Sequence, residues 1–339
     1  MSDDLFGRMR EGLETQRKNL EEWIQTTPPE IKQLRLGSLE ESKIGERLHT
    51  LDAAIAKTED KTLGLCDVCH DYIEPTRLEM DYTACVCLEH MTGEQKTRLE
   101  EELELSQKVQ KALLPHKIPD VKGLELAVFS QPAQIVGGDY FDFFEQVDGR
   151  FGFAIGDVMG KGMPASLLMA NLQASLRILV NDYKAPDEVM DRLNGLLVHN
   201  IRLTKFVTLF LAQYDKARRS LTYTNAGHNP PLLIRNGSDE TAWLSPTGAA
   251  VGLIERSEFK SANLQLNPGD LMVFYTDGVT ETHNAEEDEF GDDRLLQTVK
   301  ENHRAVPAEM VRILRNRLKT FGGHKRPEDD TTIMVMKIM

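Results

Sequence analysis

Aromatic residues are scarce: Phe, Trp and Tyr make up 6% of the 339 residues. A core must therefore rest mainly on Leu, Ile, Val, Met and Ala. Basic charge is in deficit, with 40 Lys and Arg against 54 Asp and Glu and a net charge of −14. That argues against broad nucleic-acid binding, because phosphates need a basic face. No apolar run approaches the roughly 20 residues of a membrane-spanning helix, and the charged opening MSDDLFGRMREGLE is no secretory signal. A soluble cytoplasmic protein is expected. Cysteine is missing from most of the chain: Cys66, Cys69, Cys85 and Cys87 share one short stretch, and none follows. Disulfide scaffolds spread their cysteines, whereas clustered pairs in a cytosolic chain more often bind metal.

What is present suits a globular chain of two or three domains, with 40% hydrophobic and 28% charged residues. Residues 1–60 read as a helical hairpin. Phe6, Met9, Leu13, Leu20 and Ile24 lie on one helical face, Pro28-Pro29 stops that helix, and Ile44, Leu48, Leu51 and Ile55 form a second stripe. Residues 61–93 carry the cysteines. Residues 94–115 read as a helical linker ended by Pro115, with Leu105, Val109, Ala112 and Leu113 as its apolar face. A homodimer through that face is compatible with the pattern, although it is too short to assert a coiled coil. Residues 116–339 hold β-rich runs (LELAVFS, YFDFFEQ, RFGFAIGDV, FVTLFLAQYD, SLTYTNAG, PPLLIRN, LMVFYTDG, TTIMVMKI) and helical stretches near 163–182, 185–200, 292–303 and 307–321. The fold class expected is α+β, with sheets covered by helices.

Two constellations carry chemistry. In the C-terminal domain, acidic residues accompany glycine or a strand end in GGDYFD (Asp139, Asp142), IGDVMGKG (Asp157), YTDGVTE (Asp277, Glu281) and PEDDTTIMV (Asp329, Asp330). One Asp-Gly is usually a turn. Four at strand boundaries suggest carboxylates that converge, which needs cations to offset their repulsion. All-oxygen ligands favour Mg²⁺ or Mn²⁺. In the cysteine stretch, Cys66-x-x-Cys69 followed by Cys87-x-x-His90 has the spacing of a tetrahedral zinc site. Cys85 competes with Cys87, with poorer knuckle geometry.

The ordered motifs GGDYFD, GDVMGKGMPAS, NAGHNPPLL, YTDGVTE and DDTTIMV, led by QKALLP, resemble the bacterial PPM-type (protein phosphatase 2C-like) Ser/Thr phosphatases of the SpoIIE and RsbU kind over roughly residues 95–339. The resemblance implies an α-β-β-α sandwich with two Mn²⁺ or Mg²⁺ at one end and direct attack of a metal-activated water on phosphoserine or phosphothreonine. Carried over, Asp157 bridges both metals and the Val158 carbonyl completes one shell. Asp277 and Asp329 hold a metal, Asp139 positions metal waters, and Asp330 is the uncertain neighbour of Asp329. Asp157 and Asp277 are the residues whose loss should stop catalysis. The histidine that follows the bridging aspartate's glycine in the eukaryotic enzymes is absent here. That opens His228 as an acid for the leaving group, although a structural turn role suits it better. Their phosphate-clasping arginine has no clear counterpart either, and Lys161 is offered for phosphate.

The stretch GLCDVCHDYIEPTRLEMDYTACVCLEH resembles the zinc finger of the DksA/TraR family, which implies Cys66, Cys69, Cys87 and His90 as ligands of one structural zinc, with Cys85 left over. Members that act on RNA polymerase carry acidic residues at the hairpin tip, where this chain has only Glu30. The leading expectation is a metal-dependent phosphatase controlled by a zinc-finger module and acting on a phosphoprotein, an anti-sigma-factor antagonist by family analogy. The alternative is an RNA-polymerase-binding regulator with an inactive phosphatase-like domain.

Overall fold

The computed structural model describes residues 3–28, 40–74, 77–78, 81–145, 149–200, 205–238, 240–323 and 327–339. Glu30 and most of the expected hairpin tip lie outside them. The chain divides into two compact units, Met1–Glu101 and Glu102–Met339.

In the first unit, α1 (Asp3–Thr26) and α2 (Glu40–Glu59) lie against each other along the two expected stripes. Met9 and Leu13 pack with Leu51, Ala54 and Leu63, and Phe6, Leu20 and Ile55 close the edge of the cluster. Then α3 (Gly93–Leu113) begins in a capping box: the Thr92 hydroxyl accepts the Gln95 N–H at 3.2 Å, and the Gln95 side chain accepts the Thr92 N–H at 3.0 Å.

The second unit begins within α3 and continues as β1 (Leu124–Gln131), β2 (Tyr140–Glu145), β3 (Phe151–Val158), α4 (Gly162–Asp182), α5 (Pro186–Asn200), β4 (Val207–Asp215), β5 (Ser220–Ala226), β6 (Leu232–Ile234), β7 (Thr241–Trp243), β8 (Ala262–Gln265), β9 (Leu271–Tyr275), the one-turn α6 (Asp277–Thr280), α7 (Gly291–Glu301), α8 (Pro307–Gly322) and β10 (Thr331–Ile338). The strands form two antiparallel sheets, ordered β1-β10-β9-β6-β7 and β2-β3-β4-β5-β8. Three apolar layers result. Phe153, Ile155, Phe210, Phe274 and Met334 fill the space between the sheets. Ala154, Met169, Leu172, Leu193 and Leu209 join α4 and α5 to one sheet. Val273, Leu295, Met310, Leu314 and Val335 join α7 and α8 to the other. The α+β reading therefore holds as an α-β-β-α sandwich.

Two expectations need correction. Strands β7 and β8 are absent from the sequence reading, being three and four residues long and only partly covered at sheet edges. Helix α4 has the length and apolar composition to cross a bilayer, contrary to the expectation that no segment does. Its Ala165, Met169, Leu172 and Leu176 are instead buried against the sheet. Helix α3 leaves its apolar face uncovered: Leu105 and Val109 are 62% and 54% exposed. Its C-terminal half is held by amides instead. Gln107 donates to the Ile135 carbonyl at 3.1 Å. Gln110 donates to the Gly137 carbonyl at 2.6 Å and accepts the Gly137 N–H at 3.1 Å.

Candidate active site

Strand alternation places the acidic residues. Phe151, Phe153 and Ile155 of β3 point between the sheets, and a period of two puts Asp157 on that same face. Antiparallel pairing sets Tyr140 opposite Gly156, so Asp139, just before β2, lies beside the end of β3. In the other sheet Tyr275 faces Ile333, bringing Thr276-Asp277 beside Asp329-Asp330. All four motifs thus meet at one end of the sandwich, where two strands end and two begin.

Glycine permits this convergence. A Cβ on Gly138 would stand 2.6 Å from the Val158 carbonyl and 3.3 Å from Asp157, and one on Gly137 or Gly278 would overlap Asp330. Only a residue without a side chain lets these backbones close on the site.

The carboxylates have distinct surroundings. Asp139 is buried; its Oδ2 accepts the hydroxyls of Thr276 at 2.9 Å and Thr332 at 2.6 Å, while its Oδ1 has no hydrogen-bond partner. Burial, and then the Asp157 charge, holds its carboxyl well above the usual range. Burial also pushes Asp157 up to about 8, reinforced by Asp277 and Asp329. Asp277 rises to about 6, through burial and then Asp329. Without a cation, this cluster takes up protons to limit its own repulsion.

Asp330 is separated from its neighbour by its contacts. Its Oδ1 accepts the Ala133 N–H at 2.7 Å and its Oδ2 the Gly138 N–H at 2.6 Å. It fastens the loop that carries Asp139. Asp329 points the other way, 2.8 Å from Lys161, and is the member of the pair open to the site. Asp142 is buried against Arg177 at 2.7 Å and the Tyr140 hydroxyl at 3.0 Å, a bracing role away from the cluster.

His228 is 1% exposed. Its Nδ1 lies 2.9 Å from the Thr208 hydroxyl, and Asn225 accepts its backbone N–H at 2.8 Å. Burial pushes it down to about 3, so it is a neutral core residue without access to a leaving group. The sequence reading overlooked Thr276 and Thr332, which position Asp139, and Gln110, which grips the loop before it. Their one signal was proximity: Thr276 precedes Asp277, Thr332 follows Asp330, and Gln110 opens QKALLP.

In the first unit, one sulfur each from Cys66, Cys69 and Cys87 and one ring nitrogen of His90 lie within 4.8 Å of one another. Cys87 Sγ is 3.1 Å from His90 Nδ1 and 3.9 Å from Cys69 Sγ. The N–H groups of Cys87 and Val68 point at Cys66 Sγ at 3.3 and 3.5 Å, an arrangement that stabilises thiolate. Cys85 is exposed and outside the group.

Comparison with known proteins bears on the second unit. The family described as Stage II sporulation protein E (SpoIIE) matches residues 147–339. Phosphoserine phosphatase RsbU of Bacillus subtilis is 31% identical over 243 residues, covering 70% of each chain. Phosphoserine phosphatase RsbP of the same organism is 29% identical over 54% of this chain and 46% of its own. The SiaA-PP2C domain of Pseudomonas aeruginosa superposes with a TM-score of 0.64 at 20% identity, over 74% of this chain and all of that domain, a likeness of fold.

Proposed function

The chain belongs to the SpoIIE family and is a phosphatase, and from that premise we propose that it hydrolyses phosphoserine or phosphothreonine on a cytoplasmic regulatory protein. The observation that carries this is the meeting of Asp139, Asp157, Asp277 and Asp329 at one rim, with Asp139 Oδ1 buried and unpartnered. The donor set is all oxygen, and carboxylates gathered against their mutual repulsion, one with an orphaned oxygen, suit divalent cations that displace their protons. Asp157, the Val158 carbonyl, Asp277 and Asp329 would hold two Mn²⁺ or Mg²⁺, with Asp139 ordering their waters. Bound there, the cations supply an activated water and positive charge against the phosphoryl oxygens. The chain's own groups do the rest: Thr276 and Thr332 orient Asp139, and Asp330 and Gln110 fix the loop that carries it.

Resemblance to the SpoIIE and RsbU phosphatases supports a phosphorylated anti-sigma-factor antagonist as substrate. The gathered Cys66, Cys69, Cys87 and His90 support one structural zinc in a DksA/TraR-like finger. Control of the phosphatase would pass along α3, whose Gln110 grips Gly137 two residues before Asp139. The exposed stripe of Leu105 and Val109 leaves that helix a face for a second copy of the chain. Retention of every motif carboxylate argues against an inactive domain in a polymerase regulator.

The test is release of inorganic phosphate from a phosphoserine peptide with Mn²⁺, with and without EDTA. Release that requires the cation supports the reading, and release indifferent to EDTA overturns it.

A further inference from the structure

Beside the carboxylate cluster, and reaching Asp329, lies a cavity of about 640 Å³. Gly278 and Asp329 form one end of its lining, and α8 contributes Arg312, Arg315 and Lys319. These three are spaced i, i+3 and i+7, which puts them on one face of the helix. In a chain of net charge −14, a wall of three cations beside the reaction centre is a local reversal of sign.

The three cations are not equally engaged. Arg312 pairs with Glu309 at 3.1 Å, one turn back on the same helix. The Arg315 guanidinium carbon lies over Phe129, 3.8 Å from the ring centroid. Among the described residues its guanidinium meets no carboxylate, and neither does the Lys319 ammonium. Stacking fixes the plane of a guanidinium and leaves its N–H edge free to fork onto a carboxylate. The acids of the cavity have partners at its other end: Asp329 faces Lys161 at 2.8 Å and Glu328 faces His283 at 3.4 Å. Glu281 stands with the carboxylate cluster, where it adds to the repulsion that Asp157 and Asp277 feel. The cavity is therefore polarised, with acids toward the reaction centre and bases along α8.

Its dimensions suit a peptide rather than a lone phosphate. Seven residues of helix span about 10 Å, the length of roughly three residues of extended chain.

We infer that Arg312, Arg315 and Lys319 form a recognition subsite for acidic residues of the phosphoprotein substrate that flank the phosphorylated side chain. The inference rests on the phosphatase reading and adds to it a substrate class: phosphoserine or phosphothreonine within an acidic stretch. Lys319 and the Arg315 fork hold the flanking carboxylates, and Arg312 adds charge despite its exposed pair with Glu309, which is weak enough to be shared.

The test uses the full chain with Mn²⁺ and three phosphoserine peptides identical except for flanks of Glu, Gln or Lys. The wild type is expected to favour the Glu peptide over the Gln peptide by about tenfold in kcat/KM. The difference should lie in KM and shrink as salt is raised. Arg315→Glu with Lys319→Glu should invert the order so that the Lys peptide becomes the better substrate, an outcome that loss of structure cannot produce. Lys319→Glu alone should narrow the Glu preference. Equal kcat/KM for all three peptides in the wild type, or an unchanged order in the double variant, overturns the subsite while the phosphatase reading stands. Failure to release phosphate from every peptide and from p-nitrophenyl phosphate overturns both.

Discussion

The chain carries two clusters of side chains suited to ligating metal, and they are built on opposite principles. In the first unit, three sulfurs and an imidazole nitrogen lie within 4.8 Å of one another. Sulfur and imidazole donors can crowd with less repulsion than carboxylates, and backbone N–H groups already face Cys66. In the second, the candidate ligands are carboxylates set at the rim of the sandwich, and among the described residues they do not gather as tightly as the Cys and His set. Burial, and then their proximity to one another, raises Asp157 to about 8 and Asp277 to about 6. A soft site can form before its ion arrives and serve the fold; a hard site keeps a standing repulsion that protons or metal cations must relieve. That difference is why the first reads as structural and the second as reactive.

The largest test of this contrast is removal of a carboxylate. Asp157→Ala or Asp277→Ala should lower Mn²⁺-dependent turnover of p-nitrophenyl phosphate by roughly a thousandfold or more, because bound cations contribute several kcal/mol of charge stabilisation. Near wild-type turnover in either variant would remove the two-cation assignment. The matching test on the other cluster has the opposite readout. Cys66→Ser or Cys87→Ser should lose about one zinc per chain and loosen residues 64–92, yet leave turnover of the small substrate in place. Cys85→Ser should keep the zinc and His90→Ala should weaken its hold; the reverse pair of results would mean a different register.

Protonation sharpens the contrast further. A carboxyl raised in the folded chain binds more protons there than in the unfolded chain between its two pKa values. Stability is then greatest below the unfolded value and falls as pH rises through the folded one. For Asp157 that window runs from the ordinary carboxylate range up to about 8. The metal-free chain should melt lower at pH 8 than at pH 5.5, Asp157→Asn should raise its melting temperature at pH 8, and Mn²⁺ should remove most of the pH dependence. Scanning calorimetry on the three samples reads this directly.

The smallest expected effect belongs to the amide clasp. Gln110→Ala removes two hydrogen bonds to Gly137 and should cost about 1–2 kcal/mol of stability in the second unit, with a severalfold loss of kcat. A chain starting at Gly93 keeps the clasp and one starting at Leu124 loses it. Equal kcat and KM in the two would make α3 a spacer.

Much of this was legible in the sequence, for identifiable reasons. The long strands β1, β3, β4, β9 and β10 are apolar on both faces because helices cover one side and the partner sheet the other, so their runs stand out. Edge strands β7 and β8 bury too little to leave a pattern. The motif aspartates were readable as a set, but their division of labour was not. Asp329 and Asp330 are adjacent, and only contacts from Ala133 and Gly138, nearly two hundred residues away in sequence, separate them. Periodicity found the apolar stripe of α3 but not the glutamines through which its C-terminal half is held. The basic face of α8 drew no notice in the sequence, because only the fold sets Arg312, Arg315 and Lys319 around one cavity with Asp329.

The most direct measurement is calorimetric titration of Mn²⁺ into the metal-stripped full chain at pH 7, in two buffers of different ionisation enthalpy. The account predicts saturable binding that releases protons to the buffer, because Asp157 is largely protonated before the cation enters, and a clear loss of both binding and proton release in Asp157→Asn. Binding without proton release, or binding unchanged by that substitution, would contradict it.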